Sequence, residues 1–257
     1  WLLAMNVSLL GLLSVLLITV VAGVWSAQKV SNAQDFDVGG HTFNSRLIIG
    51  ALYGSFVGGT SLIGTSQLAY QLGVGAIWFT FGGAAGIALM GLLSPALGNF
   101  RRETIPQLIE SSFGPQSRIS TSLYMTVGMF IQVIAQVLAA IPLLESLLPV
   151  STHTAALIAA LLILASVWAG GLWGTSLVGI FKTLLMMTAF CVVGILVAGD
   201  FSRMQALQVL PLRPWFNFFP HGVFTDFAAG LSVCIGTMST QTYWQPLFAA
   251  RSTRDAR

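Results

Sequence analysis

Of 257 residues only 7% are charged while 55% are hydrophobic, and the mean hydropathy is +0.84; so few charges cannot cover a surface in water, so the chain's solvent is a bilayer. The formal charge of +3 comes from eleven basic residues spread along the chain rather than gathered in one patch, which excludes nucleic acid as a partner and leaves membrane lipid. Cys191 and Cys234 both lie in apolar segments, so neither a disulfide framework nor a zinc site follows from them.

A spanning helix needs about 20 mostly apolar residues to cross roughly 30 Å of hydrocarbon. Seven stretches qualify: about 1–26, 46–72, 75–99, 119–148, 154–171, 174–199 and 222–249. The first is too long and too uniformly apolar for a signal peptide, and no small-residue cleavage site follows it, so it reads as a span. The chain starts at Trp1 inside an apolar run and ends at Arg257 in a basic one, and it reads as a fragment of a longer protein.

Charges test these spans, because Lys and Arg collect in cytoplasmic loops. Lys29, Arg46, Arg101, Arg102, Arg118, Arg251, Arg254 and Arg257 all fall on one side, and only Arg203 and Arg213 on the other. Loop 28–45, the segment 100–118 and the C-terminal end are therefore expected in the cytoplasm. Within 101–118, Thr104 ahead of Ile105 and Pro106 predicts a short interfacial helix. The segment 200–221, with Pro211, Pro214, Pro220, Trp215, Phe216, Phe218 and Phe219, reads as an external loop against the headgroups.

Two spans carry polar chemistry. Span two, RLIIGALYGSFVGGTSLIGTSQLAYQLG, places Gly50, Gly54 and Gly58 four residues apart, a smooth face for a neighbouring helix. Its VGGTS stretch joins two glycines to two hydroxyls, which weakens the helix and frees carbonyls to face an ion or solute; the alternative is an unbroken helix with a glycine seam. Span seven has GTMSTQTYWQP at its centre, with Thr237, Ser239, Thr240, Gln241 and Thr242 ahead of Pro246, and predicts a second interruption. Gln132 and Gln136, one turn apart in span four, share a face that suits either a solute or a neighbouring helix. No Ser/His/Asp, metal-ligand or nucleotide-binding constellation indicates an enzyme, and His41, His153 and His221 fall in loops.

Five stretches in order resemble the sodium/solute symporter family: FDVGGHTF (Phe36 to Phe43), SLIGTSQLAYQLG (Ser61 to Gly73), ETIPQLIESSFGPQSR (Glu103 to Arg118), AGGLWGTSLVG (Ala169 to Gly179) and TQTYWQPLFAARSTRDAR after Ser239. The first is similar to the family's D-[FY]-x-x-G-G-[RK]-x loop. The resemblance implies an all-α polytopic membrane protein with the leucine-transporter fold. Residues 1–45 would be the extra first helix and a cytoplasmic loop, 46–199 the first five-helix repeat, 200–221 an external loop and 222–257 the opening helix of the second repeat. The implied function is ion-coupled symport of a small organic solute in a bacterial or archaeal cytoplasmic membrane; the alternative is a sensory input domain of a histidine kinase.

The same resemblance implies a solute pocket lined by Thr60, Ser61, Gln132, Cys234, Thr237 and Gln241, and a sodium ion held in part by the carbonyls of Gly54 and Val57. The sequence departs from the family where Phe56 stands for Asp or Asn, where Gly179 stands for Asp, and at Lys182, the one basic residue well inside a span. A charge there is costly, and it either snorkels to the interface as an anchor or serves the coupling site. The resemblance to proton-coupled amino-acid transporters of the same fold implies that the Lys182 ammonium approaches Gly54 and Val57, stands in for sodium, and couples transport to a proton gradient. The topology is checked with single cysteines in a cysteine-free background: a cysteine at position 110 should react with an impermeant thiol reagent only from the cytoplasmic side.

Overall fold

Apolar residues surround the long segments instead of forming one stripe, so each can be a helix that faces lipid while satisfying its own backbone. A computed structural model describes residues 2–97, 104–168, 170–203, 210 and 212–257. Helices α1 (Leu2–Ala27), α2 (Ala33–Val38), α3 (Ser45–Phe56), α4 (Gly59–Leu72), α5 (Ile77–Leu93), α6 (Ile105–Phe113), α7 (Pro115–Leu147), α8 (Thr152–Trp168) and α9 (Gly171–Arg203) are followed by α10 (Val223–Met238), α11 (Gln241–Phe248) and α12 (Thr253–Ala256). Among the described residues the extended pairing is one isolated bridge, Phe43 with Ala250.

Leu9–Ala27, Gly59–Leu93, Pro115–Leu147 and Gly171–Gly199 are long and apolar enough to cross a membrane. The pair α10 and α11, bent by 51°, makes a fifth if counted as one span. The seven expected spans fall on α1, α3 with α4, α5, α7, α8, α9, and α10 with α11; α8, at 17 residues, is short, and spans two and seven are interrupted. Large apolar side chains point outward, with Phe224 90% and Tyr124 85% exposed, as a lipid solvent requires. The chain is thus an integral, multi-pass membrane protein.

Two boundaries move. Span six begins at Gly171, whose φ of +48° lets the chain turn out of α8, and α9 continues to Arg203, so the connection expected to begin at 200 starts later. The expected helix after Thr104 is α6: the Thr104 hydroxyl accepts from the Gln107 N–H at 3.4 Å and Gln107 Oε1 accepts from the Thr104 N–H at 3.2 Å. Arg101, Arg102, Glu103 and Pro211 lie outside the described residues. At the α9–α10 end the aromatics of this connection dock on α5, where the Trp78 indole donates to the Phe218 carbonyl at 2.7 Å. Phe219 and Phe227 pack on the same indole.

The main core lies at the opposite end, where the first loop, α3, α6 and α11 meet around Phe43, Ile48, Met90, Ile105, Trp244 and Phe248. The first loop is stitched to the chain after α11. The Phe43 N–H donates to the Ala249 carbonyl at 2.9 Å, and the Arg251 N–H to the Phe43 carbonyl at 3.0 Å. His41 Nδ1 lies 2.6 Å from the Phe248 carbonyl, and Gln245 Nε2 donates to the Asp37 carbonyl at 2.6 Å. Beyond the clasp, the Arg251 guanidinium and then the Ser252 hydroxyl hold the Asp255 carboxyl well below the usual carboxylate range.

Helices α3 and α9 touch through glycine. A Cβ on Gly50 would fall 2.6 Å from the Ser176 carbonyl, one on Gly54 would fall 2.8 Å from Gly179 Cα, and one on Gly179 would overlap the Gly50 carbonyl. Small residues at both surfaces allow this approach, which is how helices gain packing energy in lipid. Gly179→Leu should therefore cost roughly 1–3 kcal/mol through overpacking and lower the thermal unfolding midpoint in detergent. Gly194→Leu, in the same helix but with nothing within 4 Å of its Cβ position, should leave the midpoint unchanged.

Candidate functional site

The first interruption follows from a diverted hydrogen bond. In a continuous helix the Gly58 N–H would donate to the Gly54 carbonyl. Here Gly58 is extended, with φ −104° and ψ −179°, and its N–H meets Ser61 Oγ at 2.8 Å and the Phe56 carbonyl at 3.2 Å. Gly54 is left with a carbonyl lacking its helical donor. Lys182, on the packed face of α9 three residues beyond Gly179, fills the gap: Nζ donates to the Gly54 carbonyl at 3.1 Å. The expected approach to Gly54 is present, and no hydrogen bond joins Lys182 to Val57 among the described residues.

The second interruption separates α10 from α11 at Ser239 and Thr240. Thr240 adopts φ −97° and ψ 120°, an extended residue between two helices. Ser239 Oγ donates to the Ile235 carbonyl and Thr240 Oγ1 to the Gly236 carbonyl, both at 2.8 Å. These hydroxyls add a second donor to carbonyls of the last turn of α10 that already accept from the Ser239 N–H.

The two interruptions border one cavity. A lobe of about 390 Å³ is lined by Thr60, Ser61, Gln132, Thr237, Phe56 and Tyr243, among others. A second lobe of about 810 Å³ is lined by Gly54, Gly58, Thr242 and Lys182 among others, and shares Ser55, Gln132 and Gln136 with the first. The Phe56 and Tyr243 rings lie 5.6 Å apart at 57°, and the tip of Phe56 rests where a side chain on Gly83 would sit.

Four of the six residues expected to contact a solute, Thr60, Ser61, Gln132 and Thr237, are brought together here. Ser61 is largely spent on the backbone, since it also lies 3.1 Å from the Phe56 carbonyl and 3.0 Å from that of Gly58. Thr237 Oγ1 donates to the Val233 carbonyl at 2.8 Å. Cys234 does not line either lobe; it is 5% exposed, and its carbonyl faces Gly86 of α5. Nor does Gln241 line them; its Oε1 accepts from the Ile105 N–H at 2.8 Å, at the start of α6. Ser55, Phe79 and Tyr243 line the cavity without having been singled out from sequence. Tyr243 lies one turn beyond Thr240 and carries that signal; Phe79, in an apolar helix, carries none.

Sodium takes oxygen ligands; Phe56 and Gly179 bring no side-chain oxygen, and what the lobe offers beside the Gly54 carbonyl is the hydroxyls of Ser55 and Thr242 and the amides of Gln132 and Gln136. At Gly54 the ammonium of Lys182 already occupies the oxygen, so a sodium ion and Lys182 are alternatives there.

Comparison with known proteins follows the same lines. The model of the sodium:solute symporter family matches residues 36–252. A solved structure of a Na+-coupled sialic acid symporter, in a substrate-bound outward-open state, superposes with a TM-score of 0.82 at 16% sequence identity, covering 98% of this chain and 55% of that one. At this identity the likeness establishes the fold, a leucine-transporter-type bundle. The chain spans about half the length of that symporter.

A Cβ at Gly58 would fall 2.6 Å from Gln136 Nε2, so a side chain there moves the Gln136 amide in the cavity wall. Gly58→Leu should displace Gln136 and slow the reaction of a single cysteine at position 60 with a small thiol reagent, while membrane insertion stays intact. Gly64→Leu, with nothing within 4 Å of its Cβ position, should leave that reaction rate at the parent value.

Proposed function

The chain belongs to the sodium:solute symporter family, and on that premise we propose that it is the first part of a secondary active transporter, a symporter that moves a small organic solute inward by alternating access. Residues 46–199 are the first five-helix repeat, and 222–257 open the second. The observation that carries this reading is the cavity between two interrupted helices with a membrane-embedded ammonium on a carbonyl freed at the first interruption. Interrupted helices at mid-membrane are where secondary transporters hold solutes and coupling ions. Thr60, Ser61, Gln132 and Thr237 form the solute-facing wall, together with Gln136 and the rings of Phe56 and Tyr243.

The coupling ion in this reading is a proton carried by Lys182. A protonated lysine gives Gly54 a donor and ties α3 to α9. Deprotonation leaves a neutral amine, a weaker donor to that carbonyl, and loosens the tie, so the proton's arrival and departure bias two arrangements of the same helices. Sodium at the Gly54 and Val57 carbonyls is the competing arrangement and needs Lys182 displaced. Neither the family match nor the similar structure favours a sensory input domain.

Uptake of a radiolabelled panel of small organic solutes by vesicles holding the full-length protein tests both parts. Accumulation is expected under an inward proton gradient without sodium and should be lost in Lys182→Gln. Strict sodium dependence with a parent-like Lys182→Gln would overturn proton coupling, and no accumulation under either gradient would overturn symport.

A further inference from the structure

Lys182 is the only formally charged side chain among the described residues that line the two lobes. Its ammonium has three N–H donors, and Gly54 takes one of them at 3.1 Å. A neutral carbonyl does not compensate a full charge, and a charge inside a membrane requires a counter-charge or the loss of its own. Around it the lobe offers the hydroxyls of Ser55 and Thr242 and the amides of Gln132 and Gln136, but no carboxylate. The titratable groups nearest along the cavity are phenols: Tyr243 lines the adjoining lobe, and Tyr53 lines an apolar groove beyond Phe56.

We propose that the counter-charge is the solute, and that the transported class is a small organic monocarboxylate whose carboxylate binds Lys182 while its uncharged body lies in the adjoining lobe against Phe56 and Tyr243. This rests on the reading of the cavity as the solute site of a symporter. The lobes share Ser55, Gln132 and Gln136, so one molecule can reach both, and the first, at about 390 Å³, suits a body of a few carbons to one ring. The pairing also explains coupling by charge alone. Protonated lysine with a carboxylate is neutral, and deprotonated lysine without one is neutral. Either half-loaded state buries a net charge or leaves an anion unpaired, and is disfavoured. Proton and anion are therefore carried together, one for one.

The experiment is a thermal-shift titration of the purified full-length protein with propionate, lactate and benzoate against propionamide, lactamide and benzamide. At least one acid should bind about tenfold or more tightly than its amide, the expected scale for a hydrogen-bonded charge partner. Lys182→Gln should bring that acid to the level of its amide, and Lys182→Arg should retain the preference. Where the glutamine variant does not fold, Lys182→Met replaces it. Equal affinity for acid and amide, a preference for the acid that survives loss of the charge, or no protection by any of the three acids would overturn the assignment. Binding of an acid that vesicles never accumulate would overturn the symport reading and with it the transported class, leaving a carboxylate-binding site at Lys182.

Discussion

A carbonyl that loses its helical donor at membrane depth must find another partner, because lipid offers none. At the first interruption Ser61 draws the Gly58 N–H away, and Gly54 is left with the debt. Everything distinctive about the site follows from how that oxygen is satisfied. A backbone donor would have closed the helix, and a water-filled channel would have hydrated it. A lysine from a neighbouring helix does neither, and brings a charge to the one place where the backbone is open.

The lysine reaches Gly54 because two helices stand unusually close. Gly50, Gly54 and Gly179 remove the side chains that would hold α3 and α9 apart, and Lys182, less than one turn beyond Gly179, then lies over the end of α3. The absences at Phe56 and Gly179 act in the same direction. Neither supplies an anionic oxygen that would capture the ammonium, so it remains on a neutral acceptor with donors to spare.

The parts legible in the sequence are those encoded locally. Two adjacent glycines before two hydroxyls forecast the opening at Gly58, the polar run in span seven forecast the second opening, and Thr104 marked the start of α6. The reach of Lys182 to Gly54 was expected from the resemblance to proton-coupled transporters of the same fold, not from spacing. Tertiary choices were not. Gln241 sits in the polar run but its amide turns to the Ile105 N–H, 136 residues earlier in the chain. Cys234 is apolar enough to be buried wherever a neighbouring helix offers a seam, and Gly86 offers one. Sequence period names a face; it does not say which of several polar partners a side chain on that face will choose.

The clasp between the first loop and the residues after α11 has a bearing on biogenesis. Phe43 bonds to Ala249 and Arg251, and His41 to Phe248, so the loop waits for its partner until more than two hundred further residues have been made. A ribosome delivers the chain from the N-terminus, and six spans enter the bilayer before Phe43 and Val38, both fully buried in the finished protein, meet the α11 residues that complete their core; until then Phe43 has Trp173 of α9 to pack on. Closing so long a loop is slow relative to local helix formation. The clasp is thus completed only after six spans have been made, and a chaperone or protease acting during synthesis would meet the open loop before then.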